Sequence, residues 1–271
     1  MTADDVFALI DDAQHRFILP RFNPLSTAGY DPEAVTLADT EAESYITEHL
    51  RSNGFTVIGE EEEKAAPERY AAIDPMDGVV FTVDPVDGTG RFAQGHDFWG
   101  TLMTRAENGI LTDAWAVCPT LYGGVRIHAK REAGVRVNGV IKRFDGPHDI
   151  AQTKVHVYGR RQEPNMERPL LYDLFDHHGP WFAFANSTSC AGELAQAFME
   201  PHIGHVQASI GVASEWDYTP WALAMRESGG AAWYQHGDPG YLYKKSPNAQ
   251  LIGTSPQIVE WMAKRLAALD F

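Results

Sequence analysis

Val6, Leu9, Ile10, Ala13 and Phe17 recur at the three- and four-residue spacing of one helical face, so residues 3–19 read as an amphipathic helix that Pro20 ends. Ala42, Tyr45, Ile46 and Leu50 repeat the pattern over 39–52, and Asn53-Gly54 closes it. TVIG then reads as a short strand, leading into an acidic, mobile loop at EEEEKAAPE. VVFTV (79–83), FWGTLMTRA (98–106) and TDAWAVC (112–118) are rich in β-branched and aromatic residues, with turn material between them. Glu107-Asn108-Gly109 reads as a hairpin turn, and GGVRIHAK and AGVRVNGVIK carry the sheet to about residue 142.

Beyond the loop FDGPHDIAQ the pattern alternates. Strands at 154–158, 181–185, 203–208 and 231–234 interleave with helices at 168–177, 190–199, 217–228 and 256–268. Such alternation predicts a layered α/β architecture. The pattern divides the chain into an N-terminal α+β lobe, 1–147, and a C-terminal α/β lobe, 148–271. With 271 residues, 44% of them hydrophobic, the chain can bury the core of one compact two-lobed enzyme.

Charge narrows the partners. The 37 acidic side chains against 22 basic ones give −15, which repels nucleic-acid backbones and anionic membranes, and no basic stretch offsets it. Clustered Asp and Glu do suit hard divalent cations. Two cysteines cannot build a framework of bridges, the acidic N-terminus lacks the layout of a signal peptide, and no apolar run approaches a membrane span. A soluble cytoplasmic protein is expected.

The chemistry gathers at element ends. Glu60 and Glu61 follow a strand and a glycine, while Asp84 and Asp87 lie in DPVDGT, where VVFTV ends. Asp217 follows Trp216 at a helix start, and Asp39 begins the second helix. The C-terminal ends of strands are where α/β sheets bind ligands. Pro85 stiffens the turn and biases Asp84 towards extended geometry. Gly88 allows close backbone approach, and Thr89 can open a helix whose free amides favour phosphate. Asp84 and Asp87 can bracket a pair of hard cations, roughly 3.5–4 Å apart in two-metal sites. Asp74-Pro75-Met76-Asp77-Gly78 repeats the pattern without the threonine or a preceding strand, and reads as a plain turn.

GEE at 59–61, DPVDGTGRF and WDYTPWALAMRESGG resemble, in order, the signature stretches of the inositol monophosphatase family of metal-dependent sugar and nucleotide phosphatases. AVTLADTEAE, AGVRVNGVIK and STSCAGELAQAF extend the likeness over about residues 36–230. The resemblance implies an α/β, layered αβαβα sugar-phosphatase fold, a homodimer, lithium sensitivity and two or three Mg²⁺ ions. By that likeness Glu60, Asp84 and the carbonyl of Val86 hold one Mg²⁺, and Asp84, Asp87 and Asp217 a second. Thr89, supported by Asp39, activates the attacking water, with Glu61 behind it. Gly88, Thr89, Ser189, Cys190, Ala191 and Asp217 contact a small phosphorylated metabolite. TAGYDPEAVT carries no lysine where many relatives have one, Ile210 stands where inositol-specific relatives are often acidic, and STSCA replaces a usual Gly-Ser or Gly-Thr.

Other constellations read more plainly. Cys118 and Cys190 lack the arginine-closed loop of a cysteine phosphatase, so both read as buried small side chains. His177, His178, His202 and His205 read as solvated surface residues, and Trp216, Trp221 and Trp233 as core. Arg160 and Arg161 are candidates for a second anionic group on the substrate, set against a solvated loop pair. No dinucleotide fingerprint or Walker loop is present. Two functions follow: a Mg²⁺-dependent hydrolase of inositol, histidinol, sugar or nucleotide monophosphates, or a non-catalytic relative that binds phosphorylated metabolites and regulates a partner.

Overall fold

The computed structural model describes residues 1–23, 32–145, 153–158, 185–186, 189–210, 213–244 and 249–267. The expected helix 168–177, most of strand 181–185, His177, His178, Arg160 and Arg161 lie outside the described residues. None of the described helices is long and apolar enough to cross a membrane.

The first helix, α1 (Ala3–Ala13), is capped by Thr2 and passes into a π turn at Gln14–Ile18. Helix α2 spans Pro32–Ser52, and strand β1 spans Thr56–Gly59. Helix α2 therefore starts earlier than its stripe suggests: Pro at a first helical position is tolerated, and Val35 and Ala38 continue the buried face. Asp39 consequently lies well inside this helix and does not begin it.

The acidic stretch after β1 is no loop. It forms helices α3 (Glu60–Ala65) and α4 (Pro67–Ala72). Glu, Lys and Ala are good helix formers, and carboxylates in a first turn complement the helix dipole.

Strands β2 (Val79–Asp87), β3 (Gly100–Glu107), β4 (Ile110–Cys118), β5 (Val125–Lys130), β6 (Gly134–Val137) and β7 (Val140–Lys142) follow, with the short helix α5 (Thr89–Ala93) between β2 and β3. With β1 they form a seven-stranded sheet in sequence order. Only β1 and β2 pair in parallel; the rest are antiparallel. Asn108 and Gly109, at φ 49° and 78°, make the expected tight turn between β3 and β4.

The second sheet contains β8 (Thr153–Tyr158), β9 (Ala185–Asn186), β10 (Gly204–Ile210), β11 (Ala231–Tyr234) and β12 (Ala249–Gly253), in the order β11-β12-β10-β8-β9. Strand β12 went unread in the sequence. Helices α6 (Cys190–Met199), α7 (Glu215–Ser228) and α8 (Pro256–Leu266) complete the described elements.

Three apolar clusters separate the layers. Helices α1 and α2 place Ile10, Ala42, Ile46 and Leu50 against Phe81, Met103 and Trp115 of the first sheet. Leu194 of α6 and Trp221, Ala222 and Met225 of α7 fill the space between that sheet and the second. Ile258, Val259 and Met262 of α8 cover the outer face of the second sheet, over Val155, Val206 and Leu251. The result is the layered α/β order α–β–α–β–α. It explains why VVFTV reads as a continuous apolar run: β2 is covered on both faces.

Candidate active site

Parallel pairing aligns Ile58 with Thr82 and Gly59 with Val83, so β1 and β2 end side by side. Glu60 leaves the first as the opening residue of α3, and Asp84 continues the second. Asp39 comes from α2 above the sheet and Asp217 from the first turn of α7 below it. That turn is held in place: Asp217 N donates to Ser214 O at 3.0 Å, Tyr70 Oη lies 3.2 Å from Glu215 Oε2, and Thr219 Oγ1 donates to Glu215 O at 2.6 Å while lying 2.9 Å from Thr104 Oγ1.

These carboxylates act on one another. Burial raises the Asp84 pKa well above its ordinary value, and Glu60, Asp87, Asp217 and Asp39 push it further in the same direction. Asp217 is raised by burial, Asp87 and Glu60, and Asp39 by burial, Glu60 and Glu61, with Lys64 opposing. Asp39 and Asp84 are 3% and 2% exposed, and Oδ1 of each lacks a hydrogen-bond partner among the described residues. Buried, mutually repelling carboxylates with unpartnered oxygens are what a hard cation satisfies, because its charge makes the ionised forms favourable again. The residues therefore fit divalent metal.

The DPVDGT turn is built by a bulge. Between Asp84 and Asp87 the β2–β3 register slips, so that these residues face Leu102 and Gly100. The kink is braced from the far side of the sheet. Thr101 Oγ1 donates to Pro85 O at 2.8 Å, and Gln14 Nε2 donates to Thr101 Oγ1 at 2.8 Å and to Val117 O at 3.1 Å. Gln14 is buried in the π turn after α1, a distortion frequent at functional sites. Gly88 adopts φ 86°, and a Cβ there would come within 2.7 Å of Ser189 Cβ.

The start of α6 closes the site. Ser189 caps the helix by accepting from Gly192 N at 2.9 Å, and its own hydroxyl donates to Asp87 Oδ2 at 2.5 Å. Ala191 N donates to the same oxygen at 2.7 Å. Burial still outweighs these bonds and the Cys190 amide, leaving Asp87 raised to about 6. One ligand atom from each of Asp87, Cys190 and Asp217 lies within 4.8 Å of the others. Cys190 is thus buried, as the sequence suggested, yet its sulfur faces the acidic cluster.

Glu43 and Lys64 complete the arrangement and were given no role from sequence. The two Glu43 carboxylate oxygens accept from Glu61 N at 2.8 Å and Glu62 N at 2.7 Å, capping α3 from within α2. The approach is possible because residue 59 is glycine: a Cβ there would lie 2.4 Å from the Glu43 carboxyl carbon. Burial raises Glu43 to about 7 against the pull of those amides. Lys64 Nζ pairs with Glu60 Oε1 at 2.8 Å and Glu61 Oε1 at 2.5 Å, bringing a cation to the cluster from α3. The signals available were the last glutamate of AVTLADTEAE and the Glu60–Lys64 helical spacing.

Thr89 opens α5 as expected, but its hydroxyl donates to Val86 O at 3.1 Å, so its single proton is not directed at Asp39. His202 is exposed as read. His205 is not: it is fully buried, with Nδ1 3.2 Å from Nε2 of His156, because β10 runs through the middle of the second sheet.

Residues 21–269 match the inositol monophosphatase family. No curated protein sequence matches the chain. The fold is similar to that of inositol monophosphatase II from Staphylococcus aureus MSSA476, with TM-score 0.74 and 18% identity over 97% of this chain and 94% of that one. An inositol monophosphatase from Zymomonas mobilis gives 0.72 and 17%, over 98% and 99% of the two chains. SaIMPase-II with bound inositol monophosphate gives 0.71 and 19%, over 98% and 95%. The same protein with bound 2′AMP gives 0.72 and 19%, also over 98% and 95%.

Proposed function

Given that the chain belongs to the inositol monophosphatase family, we propose that it is a Mg²⁺-dependent phosphomonoesterase acting on a small phosphorylated metabolite. The observation that carries this reading is the gathering of Asp39, Glu60, Asp84, Asp87 and Asp217 into one acidic cluster in which buried Asp39 and Asp84 each keep an unpartnered carboxylate oxygen. Glu60, Asp84 and the Val86 carbonyl would hold one ion, and Asp84, Asp87 and Asp217 another; a third, held by Glu60 through water, would have to displace Lys64. Bound Mg²⁺ would supply Lewis-acid polarisation of the phosphoryl group and neutralise its charge.

The remaining work falls to the chain. Asp39, with Oδ1 unpartnered, would take a proton from the attacking water through Thr89. For this Thr89 turns its hydroxyl away from the Val86 carbonyl, which frees that carbonyl for a cation. Glu61 stands behind the water, and the amides of Gly88 and Thr89 orient the phosphate. Of the four residues expected at the alcohol portion of the substrate, Ser189, Cys190 and Ala191 are buried, with Ser189 and Ala191 holding Asp87, which leaves Asp217 to approach that portion. Inositol, histidinol, sugar and nucleotide monophosphates are the classes to test, and the two ligands bound by SaIMPase-II fit that breadth.

The test is phosphate release from a panel of these monoesters, with Mg²⁺ and with EDTA. Release that the chelator abolishes is the expected result. No release from any substrate by folded, Mg²⁺-loaded protein would overturn the reading in favour of a metabolite-binding regulator.

A further inference from the structure

The atoms around α6 include one that Mg²⁺ does not prefer. Asp87, Cys190 and Asp217 each present a ligand atom within 4.8 Å of the other two. Carboxylate oxygens suit Mg²⁺, whereas a thiolate selects softer cations such as Zn²⁺. The sulfur is built into position. Cys190 is 1% exposed, its carbonyl accepts from Trp221 Nε1 at 2.8 Å, and Gln207 Nε2 reaches Sγ at 3.8 Å.

A second observation points to a ligand at the same place. Asp84 Oδ1 is buried and unpartnered, and Asp84 interacts electrostatically with both Asp87 and Asp217. That oxygen lies in the same turn as Asp87 and has no partner among the described residues, which a cation bound beside it would supply. One sulfur with two carboxylate oxygens, completed by water, matches the four-coordinate sets that Zn²⁺ accepts, with Cys sulfur at about 2.3 Å and carboxylate oxygen at about 2.0–2.2 Å.

We propose that the Asp87–Cys190–Asp217 position binds a thiophilic divalent cation of the Zn²⁺ and Cd²⁺ class through the Cys190 sulfur, in competition with Mg²⁺, so that such metals hold the enzyme inactive. The inference rests on reading the carboxylate cluster as the metal centre of the phosphatase proposed above. Cys118 provides the internal control: it too is buried, yet it is not one of the three converging ligands.

The experiment is a Cd²⁺ titration of the metal-free full chain, followed by thiolate-to-metal charge-transfer absorption in the ultraviolet. A band that saturates once per chain, survives Cys118→Ser, disappears in Cys190→Ser and is reversed by excess Mg²⁺ is expected. Loss of a direct ligand should weaken Cd²⁺ binding by at least the 10–100-fold or so that outer-shell changes cost. Absence of the band in the unmodified chain, its persistence in Cys190→Ser, or its indifference to Mg²⁺ would each overturn the proposal. Should Cys190→Ser fail to fold, Asp217→Asn decides: it keeps the thiol, and Cd²⁺ affinity equal to that of the unmodified chain overturns the proposal. A chain that releases phosphate with Mg²⁺ but gives no band would sink this inference and leave the proposed function standing. A band without hydrolysis of any substrate would do the reverse.

Discussion

At Gly88 the chain has no room for a side chain, and the reason is the neighbour rather than the turn alone. Its φ of 86° is strained for any L side chain, and an added Cβ would strike Ser189, the residue that ties α6 to Asp87. Gly88→Ala is expected to lower stability by about 1–3 kcal/mol and to abolish hydrolysis, read from the urea midpoint and from phosphate release. Gly90, two residues on, has nothing within 4 Å of an added Cβ, so Gly90→Ala should leave the midpoint unchanged or slightly raised. Asp87 itself gives a second prediction. Asn keeps an acceptor for the Ser189 hydroxyl and the Ala191 amide but removes the charge. Asp87→Asn should therefore fold normally by circular dichroism while losing more than about 100-fold in turnover, as its proposed role of direct ligand requires. These residues were legible because DPVDGT is local chemistry: the proline, the acids and the glycine act within one turn. Gln14 was not, since nothing in its own helix shows that a bulge will aim it at Thr101.

Helix α3 shows how an element can be misread from its own sequence. Four successive glutamates look like a solvated loop, and the cap that makes them helical comes from Glu43, eighteen residues before the amide of Glu61. Such a cap cannot be seen in the stretch that needs it. Because both Glu43 oxygens are used, Glu43→Gln would set its amide NH₂ against a backbone N–H and leave one donor unsatisfied. A loss of about 1–3 kcal/mol is expected, with poorer Mg²⁺ affinity because α3 carries Glu60. Equal Mg²⁺ affinity by calorimetry in the two proteins would show that the cap does not position Glu60. Strands β1–β8, β10 and β11 and helices α6, α7 and α8 were read closely, since their stripes and turns are set by their own residues. Strand β12 was missed because its short apolar run QLIG lacks the β-branched pattern of its neighbours.

The assembled layers make stability depend on ions in two opposite ways. Glu200, at the end of α6, accepts from Tyr122 Oη at 2.7 Å and Lys154 Nζ at 3.0 Å, joining the second sheet to the segment after β4. Burial raises its pKa, but those partners and Gln196 outweigh it and bring Glu200 to about 2 from an ordinary 4.5. A depressed carboxylate stabilises the fold above its unfolded pKa and loses that contribution as pH falls through its folded one. Glu200→Gln should thus be less stable than the unmodified chain at neutral pH, and the two urea midpoints should converge between about 4.5 and 2. The acidic cluster works the other way. Without cations, the fold must gather five acids whose burial and mutual repulsion raise Asp39, Asp84 and Asp217 well above ordinary carboxylates, in a chain already at −15. The unfolded chain has no such cluster, so Mg²⁺ bound as proposed would favour the folded state almost alone. At one hundred times its dissociation constant that linkage is worth about 2.7 kcal/mol, or roughly 5–10 °C in Tm for a chain of this size. Asp217→Asn should remove most of the Mg²⁺-dependent rise while also relieving repulsion in the metal-free protein, so its Tm without Mg²⁺ should equal or exceed that of the unmodified chain. A full Mg²⁺ shift in Asp217→Asn would mean that the stabilising ion sits elsewhere.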